Sequence, residues 1–61
     1  MNRAEILRKL LRIEPMERLH TQHVCGWPVD EFEAALRLAM QNGWVRLVRA
    51  GNQYTTRLEA A

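Results

Sequence analysis

The chain has one cysteine, Cys25. It therefore forms no intrachain disulfide, and a lone thiol fits a reducing compartment. No apolar run approaches the roughly 18 residues that span a bilayer. The opening stretch MNRAEILRKLL is too charged to hold the apolar core of a signal peptide. These absences point to a cytoplasmic chain, intact from Met1, with no membrane partner. Glycine and proline are scarce, at three and two residues. No linker, repeat or low-complexity tract interrupts the sequence. Charge of neither sign dominates: the net charge is +2 and the pI about 9.3. That balance permits nucleic-acid binding without requiring it. No nucleophile–base–orienter set is visible, and a chain this short has little room for a substrate cleft. An enzyme is the least supported reading, and no cofactor is expected.

What is present is 61 residues, which make one domain, 1–61. A chain of this size buries only about 60% of the surface its unfolded form exposes. It needs an economical fold, a partner, or both. Asn2 can cap a first helix, with Glu5 three positions on in a capping-box arrangement. Ile6, Leu7, Leu10, Leu11 and Ile13 then recur at helical spacing, and Pro15 ends the element, giving a helix over about 3–13. A second helix is expected over about 17–25, with Met16, Leu19 and Val24 as its apolar points and Gly26 as its left-handed stop. Thr21 and Gln22 fall where a buried helix would prefer leucine and alanine. A third helix is expected over about 28–42, with Pro28 at its first position and Asn42-Gly43 at its end. Its inner stripe is Phe32, Ala35, Leu36 and Ala39, flanked by Val29 and Met40. Asp30, Ala34, Arg37 and Gln41 point the other way.

After Gly43 the period changes. The stretch WVRLVRAGNQYTTRL is rich in β-branched and aromatic residues around Gly51-Asn52, a Gly-first two-residue turn signal. It predicts a hairpin over about 44–58. A turn there would set Val45 opposite Leu58, Leu47 opposite Thr56 and Arg49 opposite Tyr54 on one face. Arg46 would face Arg57, and Val48 would face Thr55, on the other.

Three helices followed by a hairpin, and in particular the run GWPVDEFEAALRLAMQNGWV from Gly26 to Val45, resemble the winged helix-turn-helix DNA-binding superfamily over nearly the whole chain. The run has that superfamily's pattern of glycine, apolar residue, helix start, paired core positions and a glycine before the wing. Thr21 and Gln22 depart from it in the second helix. The resemblance implies a mainly α fold with a small β-hairpin, in which the third helix reads base edges and the hairpin touches backbone or minor groove. It implies a DNA-binding set of Asp30, Ala34, Arg37 and Gln41 on the helix with Arg46, Arg49, Asn52 and Arg57 on the wing. Arginine and glutamine suit guanine and adenine edges. The function implied is a small stand-alone regulator or architectural accessory of bacterial or phage type, bound to double-stranded DNA.

The third helix opens with Asp30, Glu31 and Glu33, an unusual start for an element that approaches phosphates. Two local roles account for the acids. Asp30 and Glu31 complement the helix dipole by about 0.3–1 kcal/mol. Glu33 precedes Arg37 by four residues, the favourable order for a helix ion pair of about 0.3–0.5 kcal/mol. The alternative is a protein-interaction winged helix that engages its partner through this acidic helix and Leu38. On the hairpin, Arg46 opposite Arg57 would be a repulsive pair, relieved either by a bridging anion such as phosphate or by arginine stems diverging into water. Arg49 with Tyr54 would be a cation–π contact. His20, His23 and Cys25 lack a fourth ligand and a zinc-finger spacing, so no metal is expected. Trp27 and Trp44, on either side of the third helix, read as lids on the core. Leu38 and Leu11 have no clear place in that core and suggest weak self-association as a homodimer, or a partner surface.

Overall fold

Asn2 starts the first helix as its side chain suggests. Its Oδ1 accepts the Glu5 N–H at 2.9 Å. Helix α1 then runs Arg3–Ile13 in the computed structural model, which describes residues 2–49 and 56–61. The helix ends because Glu14, before Pro15, is forced into an extended conformation. The extended chain continues into a two-residue strand, β1, Met16–Glu17. Helix α2 follows over Arg18–Cys25, and α3 over Val29–Gln41. Strands β2, Val45–Arg49, and β3, Thr56–Ala60, close the described chain. Gly26 and Gly43 both adopt left-handed backbone, with φ of 69° and 72°. Only glycine takes that conformation without penalty, so these two residues set the exits of α2 and α3. Pro28 is the N-cap of α3, one place earlier than expected.

The sheet has three antiparallel strands in the order β1-β3-β2, not the two of a bare hairpin. Met16 pairs with Leu58 and Glu17 with Arg57, so Met16 belongs to a strand and not to the second helix. Between β2 and β3 the register is shifted by two residues from the expected one. Val45 faces Ala60, Leu47 faces Leu58, and Arg49 faces Thr56. A shift of two preserves which face each side chain takes, so the expected division of faces survives while every expected partner changes. Arg46 stands opposite Glu59, and Val48 opposite Arg57. The turn expected at Gly51-Asn52 and the contact expected from Tyr54 lie outside the described residues.

The core is made by Ala4, Leu7 and Leu11 of α1, Phe32, Ala35, Leu36 and Ala39 of α3, and Val45 and Leu58 of the sheet. Leu11 is thus a core residue. The spacing in α1 places it beside Leu7, and α1 packs against both α3 and β3. Trp27 and Trp44 are partly buried against this cluster. Each carries an arginine on its outer face, Arg3 at 5.4 Å and Arg8 at 5.2 Å. Each fully buried large apolar side chain contributes about 1.5–3 kcal/mol, against about 0–1 kcal/mol for an exposed ion pair. The apolar faces of α1 and α3 therefore hold the fold together.

Helix α2 turns the opposite way from its expected face. Leu19 and Val24 are exposed, at 66% and 51%, while Thr21 is fully buried. The Thr21 hydroxyl donates to the Glu17 carbonyl at 2.8 Å. That bond removes most of the cost of burying a polar group. The pairing of β1 with β3 sets the entry of α2, and that entry decides which side faces inward. The result is mainly α with a small antiparallel sheet, in the order and packing of a three-helix winged helix-turn-helix.

Candidate nucleic-acid interface

The outward side of α3 carries Asp30, Ala34, Arg37 and Gln41, all exposed. The structure divides three of them between two grooves. Arg37 and Gln41 line a groove of about 650 Å³ between α3, the start of α2 and the sheet. Arg49 and Leu47 of β2, Thr56 of β3, and Leu36 and Met40 of α3 line it too. Ala34 lies on the opposite flank, in a shallower groove with Arg3, Glu31 and Leu38 against α1. Asp30 lines neither described groove.

The wing arginines are divided as well. Arg49 shares its face of the sheet with Val45 and Leu47, which turns it into the groove beside Arg37. Arg46 and Arg57 lie on the other face, where Glu59 meets both. Its carboxylate is 3.2 Å from the Arg46 guanidinium and 3.8 Å from that of Arg57. The expected Arg46–Arg57 opposition is therefore absent. The register places Arg46 against an acid, and the anion between the two arginines is the protein's own. Asn52 lies outside the described residues.

Two of the three acids of α3 are also neutralised, by partners on other elements, while Asp30 makes no ion pair with any described residue. Glu31 pairs with Arg3 of α1 at 3.1 Å, and Glu33 pairs with Arg18 of α2. The expected Glu33–Arg37 helix pair does not form, because Arg18 approaches across the α2–α3 packing. Arg37 and Arg49 make no ion pair with any described residue. No local spacing marks Arg18, since its pairing joins residues fifteen positions apart on different helices. Met40 and Leu47 likewise carry no signal along the chain. Their common groove exists only once β2 folds back beside α3.

His20 and His23 are exposed and Cys25 is half-buried. Burial pushes the Cys25 thiol up from its ordinary value, which disfavours the thiolate form that acts as nucleophile. Among the described residues no three His, Cys, Asp or Glu side chains are grouped to hold a metal. None of the described helices is long and apolar enough to cross a membrane. No family model, curated protein or solved structure matches this chain. The fold class is thus defined by the element order and the sheet, and the functional reading rests on the side chains of the two grooves.

Proposed function

We propose that this chain is a member of the winged helix-turn-helix superfamily that binds double-stranded DNA through α3 and the groove side of its wing, as a small regulator or architectural accessory. One observation carries the reading. Arg37, Gln41 and Arg49 meet at one groove, with both arginines lacking a described carboxylate partner, while Glu31 and Glu33 are occupied by Arg3 and Arg18. That pairing leaves Asp30, at the first turn, as the one acid of the start of α3 without an ion-pair partner among the described residues. Arg37 and Gln41 are the base readers in this reading, Arg49 is the main phosphate contact, and Arg46 and Arg57 contribute less because Glu59 holds them.

Fluorescence anisotropy with labelled duplexes at two salt concentrations tests it. Arg49→Ala is expected to weaken binding to all sequences and to lower the salt slope by about one unit. Arg37→Ala and Gln41→Ala are expected to relax sequence preference, at about 1–3 kcal/mol per lost base contact. Glu33→Gln is expected to strengthen binding, because it removes a negative charge and releases Arg18. Absence of duplex binding at low salt in the wild type and Glu33→Gln alike would remove the DNA reading.

A second reading has one observation in its favour. Leu38 is 42% exposed and shares the α1-side groove with Ala34, which suits a protein partner or weak self-association at that flank. There Glu31→Gln would weaken binding and the Arg49 change would have no effect.

A further inference from the structure

DNA accounts for the arginines of the wing groove and leaves its floor unexplained. Met40 and Leu47 are 38% and 43% exposed, yet they face a common concavity with Leu36. A sugar–phosphate backbone offers only the small C–H edges of its sugars to cover them. A volume of about 650 Å³ is within the usual range of about 300–1,000 Å³ for small-molecule sites. Its rim is asymmetric in charge. Arg37 and Arg49 stand on opposite walls, one on α3 and one on β2, and the only acid among the described lining residues, Glu33, is already bound to Arg18.

An occupant that satisfies both features carries a carboxylate on an apolar body. Guanidinium groups take carboxylates in forked geometry, and an alkyl or aryl chain removes the exposed Met40 and Leu47 side chains from water. We propose that this groove binds a small amphipathic carboxylate of the alkanoate or arylalkanoate class. Its anion sits between Arg37 and Arg49, and its apolar body lies on Leu36, Met40 and Leu47. The ligand takes the same two arginines that the proposed DNA contact uses, so ligand and DNA exclude one another. That exclusion rests on the DNA reading above; the binding of the carboxylate does not.

The test is a titration of the full chain, methyl-labelled at methionine and leucine, with octanoate. The controls are 1-octanol, which lacks the anion, and inorganic phosphate, which lacks the chain. Octanoate is expected to move the Met40 and Leu47 methyl signals saturably while leaving exposed Leu19 unmoved. Arg37→Ala and Arg49→Ala are each expected to weaken it about tenfold, as a charged hydrogen bond is lost. Met40→Gln, a change at an exposed helix position that keeps the fold, is expected to weaken octanoate several-fold and leave phosphate binding unchanged. Octanol binding as tightly as octanoate, shifts spread equally to Leu19, or no saturation would each overturn the site. Phosphate binding as tightly as octanoate would overturn the apolar half and leave an anion site only. In a parallel anisotropy measurement octanoate is expected to release labelled duplex. Retention of duplex at saturating octanoate would overturn the exclusion. If the chain binds no duplex at all, the DNA reading falls while the methyl titration still decides the ligand.

Discussion

Helices α2 and α3 are neighbours in sequence and in space, and their apolar patterns predict their buried faces with opposite success. In α3 the stripe Phe32, Ala35, Leu36 and Ala39 is buried to the last residue. In α2 the two strongest apolar residues, Leu19 and Val24, point to solvent, and Thr21 fills the interior position. The helices differ in length and in what fixes them. Thirteen residues give α3 more than three turns, enough for four apolar side chains to act together against α1 and the sheet. Eight residues give α2 two turns, with few apolar residues on any face. Its orientation is set from outside, by β1 pairing with β3 on one side and the left-handed Gly26 on the other. A periodic signal dominates when the burial it represents outweighs the constraints at the helix ends. In α2 it does not.

Stability measurements can sharpen or break that contrast. The largest effect is expected at Phe32, the biggest fully buried side chain. Phe32→Ala should cost about 3–5 kcal/mol, enough to leave a domain of this size largely unfolded by far-UV circular dichroism. Thr21→Val should come next. It keeps the shape but removes the hydroxyl that satisfies the Glu17 carbonyl, at about 1 kcal/mol in urea unfolding. Gly26→Ala should fall in the same range, about 1–2 kcal/mol. No atom beyond the adjoining residues lies within 4 Å of the added methyl, so the cost is that of the left-handed backbone alone, and Gly26→Asn should recover part of it. Smallest of all are Leu19→Ala and Val24→Ala, expected within about 0.5 kcal/mol of wild type. A loss of 2 kcal/mol or more at Leu19 would mean that α2 presents its apolar side to the core after all, and the contrast would collapse.

Comparable contrasts run through the site. The outward stripe of α3 follows from its period, and Arg37 and Gln41 are legible as exposed polar residues on a helix of the right type. The partners of its acids are not. Glu33 has an arginine four residues ahead and still pairs with Arg18 on another helix, because helix packing brings Arg18 to it and an exposed intrahelical pair is worth only about 0.3–0.5 kcal/mol. On the wing, alternation correctly divides Arg49 from Arg46 and Arg57. It leaves the register open by even steps, and only the register decides whether Arg46 faces Arg57 or Glu59.

The sequence by itself determined the parts that depend on neighbours along the chain. These are the Asn2 cap, the stop before Pro15, the left-handed exits at Gly26 and Gly43, the apolar faces of α1 and α3, and the change of period that starts the sheet. Each is a local preference or a run of coherent burial large enough to withstand the rest of the fold. Tertiary structure alone decided the third strand, the facing of α2, the register of the wing, the partners of Glu31, Glu33 and Glu59, and the groove where Arg37 meets Arg49 over Met40 and Leu47. Those features join residues far apart in the chain through contacts that are individually weak, so no spacing records them, and they are settled only when α1, α3 and β3 close on their common core.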